Sequence, residues 1–259
     1  MTNGDPTELA RTIEAIEGWL HPAEAWELHE AARTTASPPG DTVVVEIGSW
    51  KGRSTVALGL GLRAHGGGKL YAVDPLVPSP MDGPGGIEAR FQEFLGNLES
   101  AGVRDLVEPV REMSHDARPR FDGRRVDVLF IDGDHDYAAV LQDIDDWMPL
   151  VPDGAVVALN DPFWPGVTRA IVERATRKGS PLREPRFVVN TIFFRHRPRA
   201  PWARSDAAMA ARLRLLLRIG GPTMKVLERM GPRTPRRVLG PVVRAVEAAL
   251  PRLVPNRRP

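Results

Sequence analysis

Two short apolar runs, each stopping at acidic or amide side chains, constrain this chain more than any other feature. Val126-Asp127-Val128-Leu129-Phe130-Ile131 stops at Asp132-Gly133-Asp134-His135-Asp136-Tyr137, and Ala155-Val156-Val157-Ala158-Leu159 stops at Asn160-Asp161-Pro162. Runs this rich in β-branched and apolar residues read as strands buried on both faces, and the stretch between them, through Trp147, reads as a helix. In an open parallel sheet the crevice beyond the carboxyl ends of the strands holds ligands. Both runs therefore deliver polar groups to the place where a site would form.

The rest of the chain repeats the strand-helix alternation. Thr7 to Ala32 reads as two helices broken at His21-Pro22, and Ser37-Pro38-Pro39-Gly40 as a loop. Thr42 to Ile47 is a continuous apolar strand interrupted only by Glu46, and Gly48 to Ser54 turns into an Ala/Leu-rich helix reaching His65. Lys69 to Val73 is the next strand, ending at Asp74. Its connection, Val77 to Gly86, is rich in Pro and Gly and reads as a mobile lid or a plain long loop. A helix over Ile87 to Ala101, a weaker strand over Leu106 to Val110, a helix over Val167 to Ala175, and two closing strands, 186–189 and 191–194, complete the pattern. Alternation of this kind implies a parallel sheet with helices on both faces.

Composition bounds the function classes. A chain of 259 residues with 42% apolar residues can bury a sizeable core, and the absence of cysteine excludes disulfides and thiolate metal sites. No N-terminal apolar segment and no run of 18 apolar residues is present, which gives the expectation of a cytoplasmic protein. Charge is unevenly placed: residues 201–259 hold 13 Lys and Arg against 3 Asp and Glu, a net of +10, and residues 1–200 carry −8. Three expected units follow: an N-terminal helical cap over 1–40, the strand-helix domain over 41–200, and a basic helical extension over 201–259. Within the extension, Ala207 to Ile219, Thr223 to Met230 and Arg237 to Leu250 are separate helical candidates.

The first loop decides the ligand. Trp50 stands where a dinucleotide fingerprint needs its second glycine, and the spacing and Arg53 do not fit a P-loop. Glu46-x-Gly48-x-x-x-Gly52 instead resembles motif I of the class I S-adenosylmethionine (SAM) methyltransferases. That resemblance implies an α/β fold with a Rossmann-like, doubly wound seven-stranded sheet. Gly48 and Gly52 would let the backbone pass close beneath the ligand, Glu46 would face its cationic side, and Ser49 and Ser54 would offer hydroxyls. Asp74 falls where this family binds the ribose diol, a task suited to a carboxylate acceptor, and Ser114 and His115 where it contacts adenine.

The two opening runs resemble a narrower set, the metal-dependent O-methyltransferases of the catechol type and of the macrolide and polysaccharide sugar type. By that likeness Asp132, Asn160 and Asp161 would hold Mg2+, a hard cation suited to oxygen ligands. Asp132 would serve the cofactor and catalysis as well, and His135, three residues on, would be the general base. A metal is wanted for a physical reason. Moving a proton from a hydroxyl near pKa ~15.7 to a histidine near ~6.5 costs roughly 12 kcal/mol, so His135 alone is an inadequate base.

Asp134, Tyr137 and Trp164 are candidate acceptor contacts, with Phe163 and Trp50 as further aromatic walls. The expected activity is methyl transfer to a hydroxyl of a small molecule or glycan, a sugar hydroxyl being favoured. A metal-independent O- or N-methyltransferase and a SAM-binding scaffold are the alternatives, and nucleic acid is disfavoured by the −8 on the first 200 residues. In the tail, Arg212, Arg214, Arg218, Lys225, Arg229, Arg233, Arg236 and Arg237 interleave with Leu213, Leu215, Leu216, Leu217 and Ile219. This pattern reads as a packing or dimerisation arm, hence a homo-oligomer, ahead of a peripheral membrane contact.

Overall fold

The computed structural model describes residues 5–229. Seven strands form one sheet: β1 (Val43–Ile47), β2 (Lys69–Val73), β3 (Val107–Val110), β4 (Val128–Ile131), β5 (Val156–Asn160), β6 (Leu182–Val188) and β7 (Thr191–His196). Their order is β3-β2-β1-β4-β5-β7-β6, with β7 antiparallel to β5 and β6. This is the doubly wound class expected from the sequence. Strand order reverses between β1 and β4, which pair directly, with Ile47 opposite Ile131. That reversal opens a crevice at their carboxyl ends.

The helices are α1 (Pro6–Glu14), α2 (Pro22–Arg33), α3 (Arg53–His65), α4 (Gly86–Ser100), α5 (Ser114–Ala117), α6 (Tyr137–Trp147), α7 (Pro165–Ala175) and α8 (Arg204–Arg229). Side-chain alternation along the strands feeds two cores. Val45, Ile47, Leu129 and Ile131 pack with Val140, Ile144 and Trp147 of α6 and with Val167 and Ile171 of α7. Val44, Val128 and Phe130 pack with Leu28 of α2, Leu58 and Leu62 of α3, and Phe94 and Leu98 of α4. The N-terminal helices thus cover one face of the sheet.

Three expectations change. β6 starts at Leu182 and runs through Pro185, because it is an edge strand with an irregular register between Arg183 and Arg186, where a missing N–H is tolerated. As far as Arg229, the first two tail candidates are one helix, α8, which carries Gly220-Gly221-Pro222 within it. Leu213 and Leu217 of α8 are buried in the core shared with α7, and the Arg214 guanidinium donates to the Thr176 hydroxyl and carbonyl at 2.6 and 3.1 Å. That face of the helix is spent on packing. The candidate over Arg237 to Leu250, with Arg233, Arg236 and Arg237, lies outside the described residues. Third, the loop after β2 is tied down. Arg90 of α4, 5% exposed, donates to Asp82 at 2.5 Å and to the Val77 carbonyl at 2.8 Å, and its guanidinium lies 4.5 Å from the Trp50 ring centroid. Of its two readings, the plain connection fits. Among the described residues no helix is long and apolar enough to cross a membrane.

Helices α2 and α3 approach so closely that a Cβ on Gly61 would sit 2.2 Å from the His29 carbonyl oxygen, whereas one on Gly96 of α4 meets nothing within 4 Å. Gly61→Ala is expected to destabilise the fold by about 2 kcal/mol or more through overpacking against backbone. Gly96→Ala should be neutral or stabilising by up to about 1 kcal/mol. Thermal unfolding of the two variants checks the contrast.

Candidate active site

The loop after β1 is built by one carboxylate acceptor and two glycines. The Asp74 carboxylate, at the end of β2, accepts the backbone N–H groups of Ser49 and Trp50, both at 3.0 Å, and that of Leu76 at 2.8 Å. These bonds hold Trp50 at φ +48°, a left-handed conformation a tryptophan adopts only when its surroundings dictate it. Gly52, at φ +87°, starts α3 with no side-chain cap and leaves room for Phe94, 3.0 Å from where a Cβ would stand. Gly48, at φ +85°, has a nearer neighbour: its Cβ would lie 2.2 Å from the Asp132 carbonyl oxygen. Its Cβ side is taken up by the backbone at the end of β4, which brings the first loop against Asp132.

Glu46 is fully buried under this loop. One carboxylate oxygen, Oε2, accepts from the Thr55 hydroxyl at 2.5 Å, while Oε1 is buried without a partner, as are Ser49 Oγ and Trp50 Nε1. Burial pushes the Glu46 carboxyl up to about 7, a shift that the nearby hydroxyls of Ser54, Thr55 and Ser49 only partly oppose. A buried carboxylate with an idle oxygen suits a cationic ligand.

At the ends of β4 and β5 the side chains converge. Asp132, His135 and Asp161 each place a ligating atom within 4.8 Å of the others. His135 Nε2 lies 2.9 Å from Asp161 Oδ2, a charge contact without hydrogen-bond geometry. The Asp161 carboxylate holds the imidazole above its usual value, against the effect of burial. Burial, and then the like charge of Asp161, push Asp132 well above the usual carboxylate range. Asn160 lies between: its amide Nδ2 donates to Asp132 Oδ1 at 3.0 Å and its Oδ1 accepts from the Thr191 hydroxyl at 2.9 Å. Asp161, at φ +53°, is fixed by its N–H to the Asn190 carbonyl, 2.9 Å, and by the Asn190 amide, which donates to Oδ1.

Other expected site residues divide. Trp164, 38% exposed, stacks on His135 with ring centroids 5.0 Å apart and planes 23° from parallel. Behind it Gly166 lets α7 start against the His135 carbonyl, 2.1 Å from where a Cβ would stand. Asp134 lines the same pocket as Asp132 and His135 and accepts the Asp136 N–H at 2.9 Å, closing the turn into α6. Tyr137 turns away: its hydroxyl donates to Glu173 at 2.5 Å and the Arg169 guanidinium lies 3.8 Å from its ring centroid, both on α7. Phe163 is buried against Phe187. The Ser114 hydroxyl donates to Asp143 of α6, whose burial pushes its carboxyl up to about 6, and His115 is exposed beside Asp116. Sequence reasoning missed Asp143, Asn190, Thr191 and Glu24. Only Glu24 left a trace, as the acidic third residue of an expected helix start after His21-Pro22.

Residues 45–162 match a family model described as a methyltransferase domain. That segment is a methyltransferase domain. Solved structures with the same fold include the O-methyltransferase TomG from Streptomyces achromogenes, involved in tomaymycin synthesis and in complex with SAM. It is 20% identical, with 76% of this chain and 92% of that one covered and a TM-score of 0.52. The O-methyltransferase NovP is 18% identical over 68% of this chain and 81% of its own, with a TM-score of 0.55. An O-methyltransferase from Bacillus cereus in complex with SAH is 17% identical over 73% and 90%, with a TM-score of 0.53.

The ionisation of Glu46 has a measurable consequence in this protein. With its folded value near 7 against 4.5 for an ordinary glutamate, the folded state holds a proton that the unfolded chain releases, so stability falls as pH rises from about 4.5 to about 7. Glu46→Gln, which removes this ionisation, is expected to stabilise the ligand-free protein at pH 8 relative to pH 5, by on the order of 3 kcal/mol. Urea titrations at the two pH values measure it; equal effects at both would contradict the buried, half-satisfied carboxylate.

Proposed function

We propose that this enzyme transfers the methyl group of SAM to a hydroxyl of a small molecule or saccharide, with Mg2+ assisting and His135 as the general base. The observation that carries the reading is the convergence of Asp132, His135 and Asp161 at the carboxyl ends of β4 and β5, beside the loop that Gly48 brings to Asp132. On the donor side, Glu46 Oε1 and Ser49 Oγ are buried acceptors without partners, suited to the ammonium of SAM. Asp74 keeps acceptor capacity beyond its three backbone bonds for the ribose diol. Gly52 and Ser54 shape the start of α3 beneath this side, and Ser114 and His115 begin α5 at the end of β3, where adenine is expected.

On the acceptor side the donor set is oxygen-rich: Asp132 and Asp161 supply carboxylates and Asn160 an amide oxygen if its side chain turns over. Asp132 is buried beside a second carboxylate, a like-charge pair that a bound cation would relieve. When bound there, Mg2+ supplies charge that offsets the two carboxylates and lowers the pKa of a coordinated hydroxyl. His135 takes the proton of the acceptor hydroxyl as its oxygen bonds to the methyl carbon, the C–S bond breaks, and SAH leaves. Trp164 offers a face on which a sugar or aromatic ring stacks. The rigid packing of α8 on α7 through Leu213 and Leu217 supports the reading of the tail as a packing arm ahead of a membrane contact.

His135→Ala is expected to keep SAM affinity within about threefold and to lower turnover by about 10²-fold or more. Asp74→Ala should chiefly weaken SAM. EDTA should abolish turnover and leave SAM binding in place. Calorimetry with SAM, paired with a mass-shift assay on a panel of sugars and catechols, separates these effects; full activity in EDTA would remove the metal from the account.

A further inference from the structure

The helix that begins at Pro22 reaches the acceptor half of the site through a single side chain. Glu24 of α2 is 2% exposed, and its two carboxylate oxygens face different elements. Oε2 accepts the His21 N–H at 2.8 Å, completing the capping box that starts α2. Oε1 accepts the Asn190 N–H at 2.9 Å and the Thr191 hydroxyl at 2.8 Å, both in the turn between β6 and β7. That turn is the support of the carboxylate cluster. Thr191 Oγ1 stands 2.9 Å from Asn160 Oδ1, and the Asn190 backbone and amide grip Asp161. An ordinary capping box needs no contact across more than 160 residues of sequence, and a glutamate confined to capping has no reason to be buried. Burial pushes the Glu24 carboxyl up, a cost that its three N–H and O–H donors offset in part.

We propose that Glu24 is a positioning residue for the acceptor side, fixing the Asn190-Thr191 turn so that the Asn160 side chain and the Asp161 backbone hold the orientation the cluster needs. The inference rests on the reading of Asp132, Asn160 and Asp161 as a metal site only for its effect on metal, not for its effect on the turn. Thr191 is the hinge of the argument. The Thr191 hydroxyl stands between Glu24 and Asn160 with one proton to give; given to the buried carboxylate, it leaves the oxygen to accept from the Asn160 NH2 group once that amide turns over, the orientation that presents Oδ1 to Asp132 and Asp161. Without Glu24 the turn keeps its strand pairing to β5 but loses the side-chain anchor behind it.

The test uses the full chain and two variants that break the link at different points. Glu24→Gln keeps the shape of the side chain but puts an NH2 group where one carboxylate oxygen was. Thr191→Val leaves the α2 cap intact and removes only the shared hydroxyl. Glu17→Ala, which breaks the ion pair of the N-terminal segment with Lys51 at 2.5 Å, is the control for loosening this segment elsewhere. Backbone hydrogen–deuterium exchange and Mn2+ titration by calorimetry are read for each. Both Glu24→Gln and Thr191→Val are expected to speed exchange over residues 159–164 by about tenfold or more, with β2 unchanged, and to weaken Mn2+ by about tenfold. The control should leave both at the wild-type values. Exchange over 159–164 equal to wild type, or raised equally across the whole sheet, would overturn the proposal, the second result meaning that Glu24 is only a stabilising cap. Should the wild type bind no Mn2+ that Asp132→Asn removes, the metal reading fails, and the exchange data still decide the role of Glu24.

Discussion

The close approach of Gly48 to the Asp132 carbonyl oxygen is the contact on which the rest of the site depends. β1 and β4 are adjacent parallel strands, so their end loops already point the same way. Only a residue without a Cβ lets them touch. Because of that contact, the loop of Gly48 to Gly52 and the loop of Asp132 to His135 form one surface, as the proposed methyl transfer, which needs both reactants held at one place, would require. The supports of each loop lie outward from this centre. Asp74 fixes Ser49 and Trp50 from the β2 side, and Asn160, Asn190 and Thr191 fix Asp132 and Asp161 from the β5 and β7 side.

Around that centre the protein buries negative charge. Glu46, Asp132 and Glu24 are each held above the ordinary carboxylate range chiefly by burial. Glu24 is the best satisfied, by two backbone N–H groups and one hydroxyl, and it behaves as a support. Glu46 has one idle oxygen, and Asp132 has a second carboxylate beside it. A buried carboxylate short of partners is costly unless a cation completes it. The proposed function gives each of these two carboxylates a cation: the methyl donor for Glu46 and a divalent metal for Asp132.

Much of this was legible in the sequence. The order of strands and helices, the turn at Gly48, and the polar stops at Asp74, Asp132 and Asn160-Asp161 follow from apolar runs and their punctuation, because backbone burial and turn chemistry are local properties. The bonds from Asn190 and Thr191 to Asp161 and Asn160 were not legible. They depend on β7 returning antiparallel beside β5, a pairing that joins residues about thirty apart with no local signal. Tyr137 shows the opposite limit. Its place next to the site in sequence put it near the acceptor, yet the first turn of α6 points its ring at α7. Pro185 shows a third: a proline hides a strand unless the strand is known to lie at an edge.

The central claim is that a divalent cation sits between Asp132 and Asp161, next to the loop that holds the methyl donor. Crystals grown with SAH and Mn2+ test it most directly through an anomalous difference map. The account predicts one strong peak within coordination distance of both carboxylates, with SAH lying against the Gly48 loop. SAH in that place with no peak between Asp132 and Asp161, or with Mn2+ bound elsewhere, would contradict it.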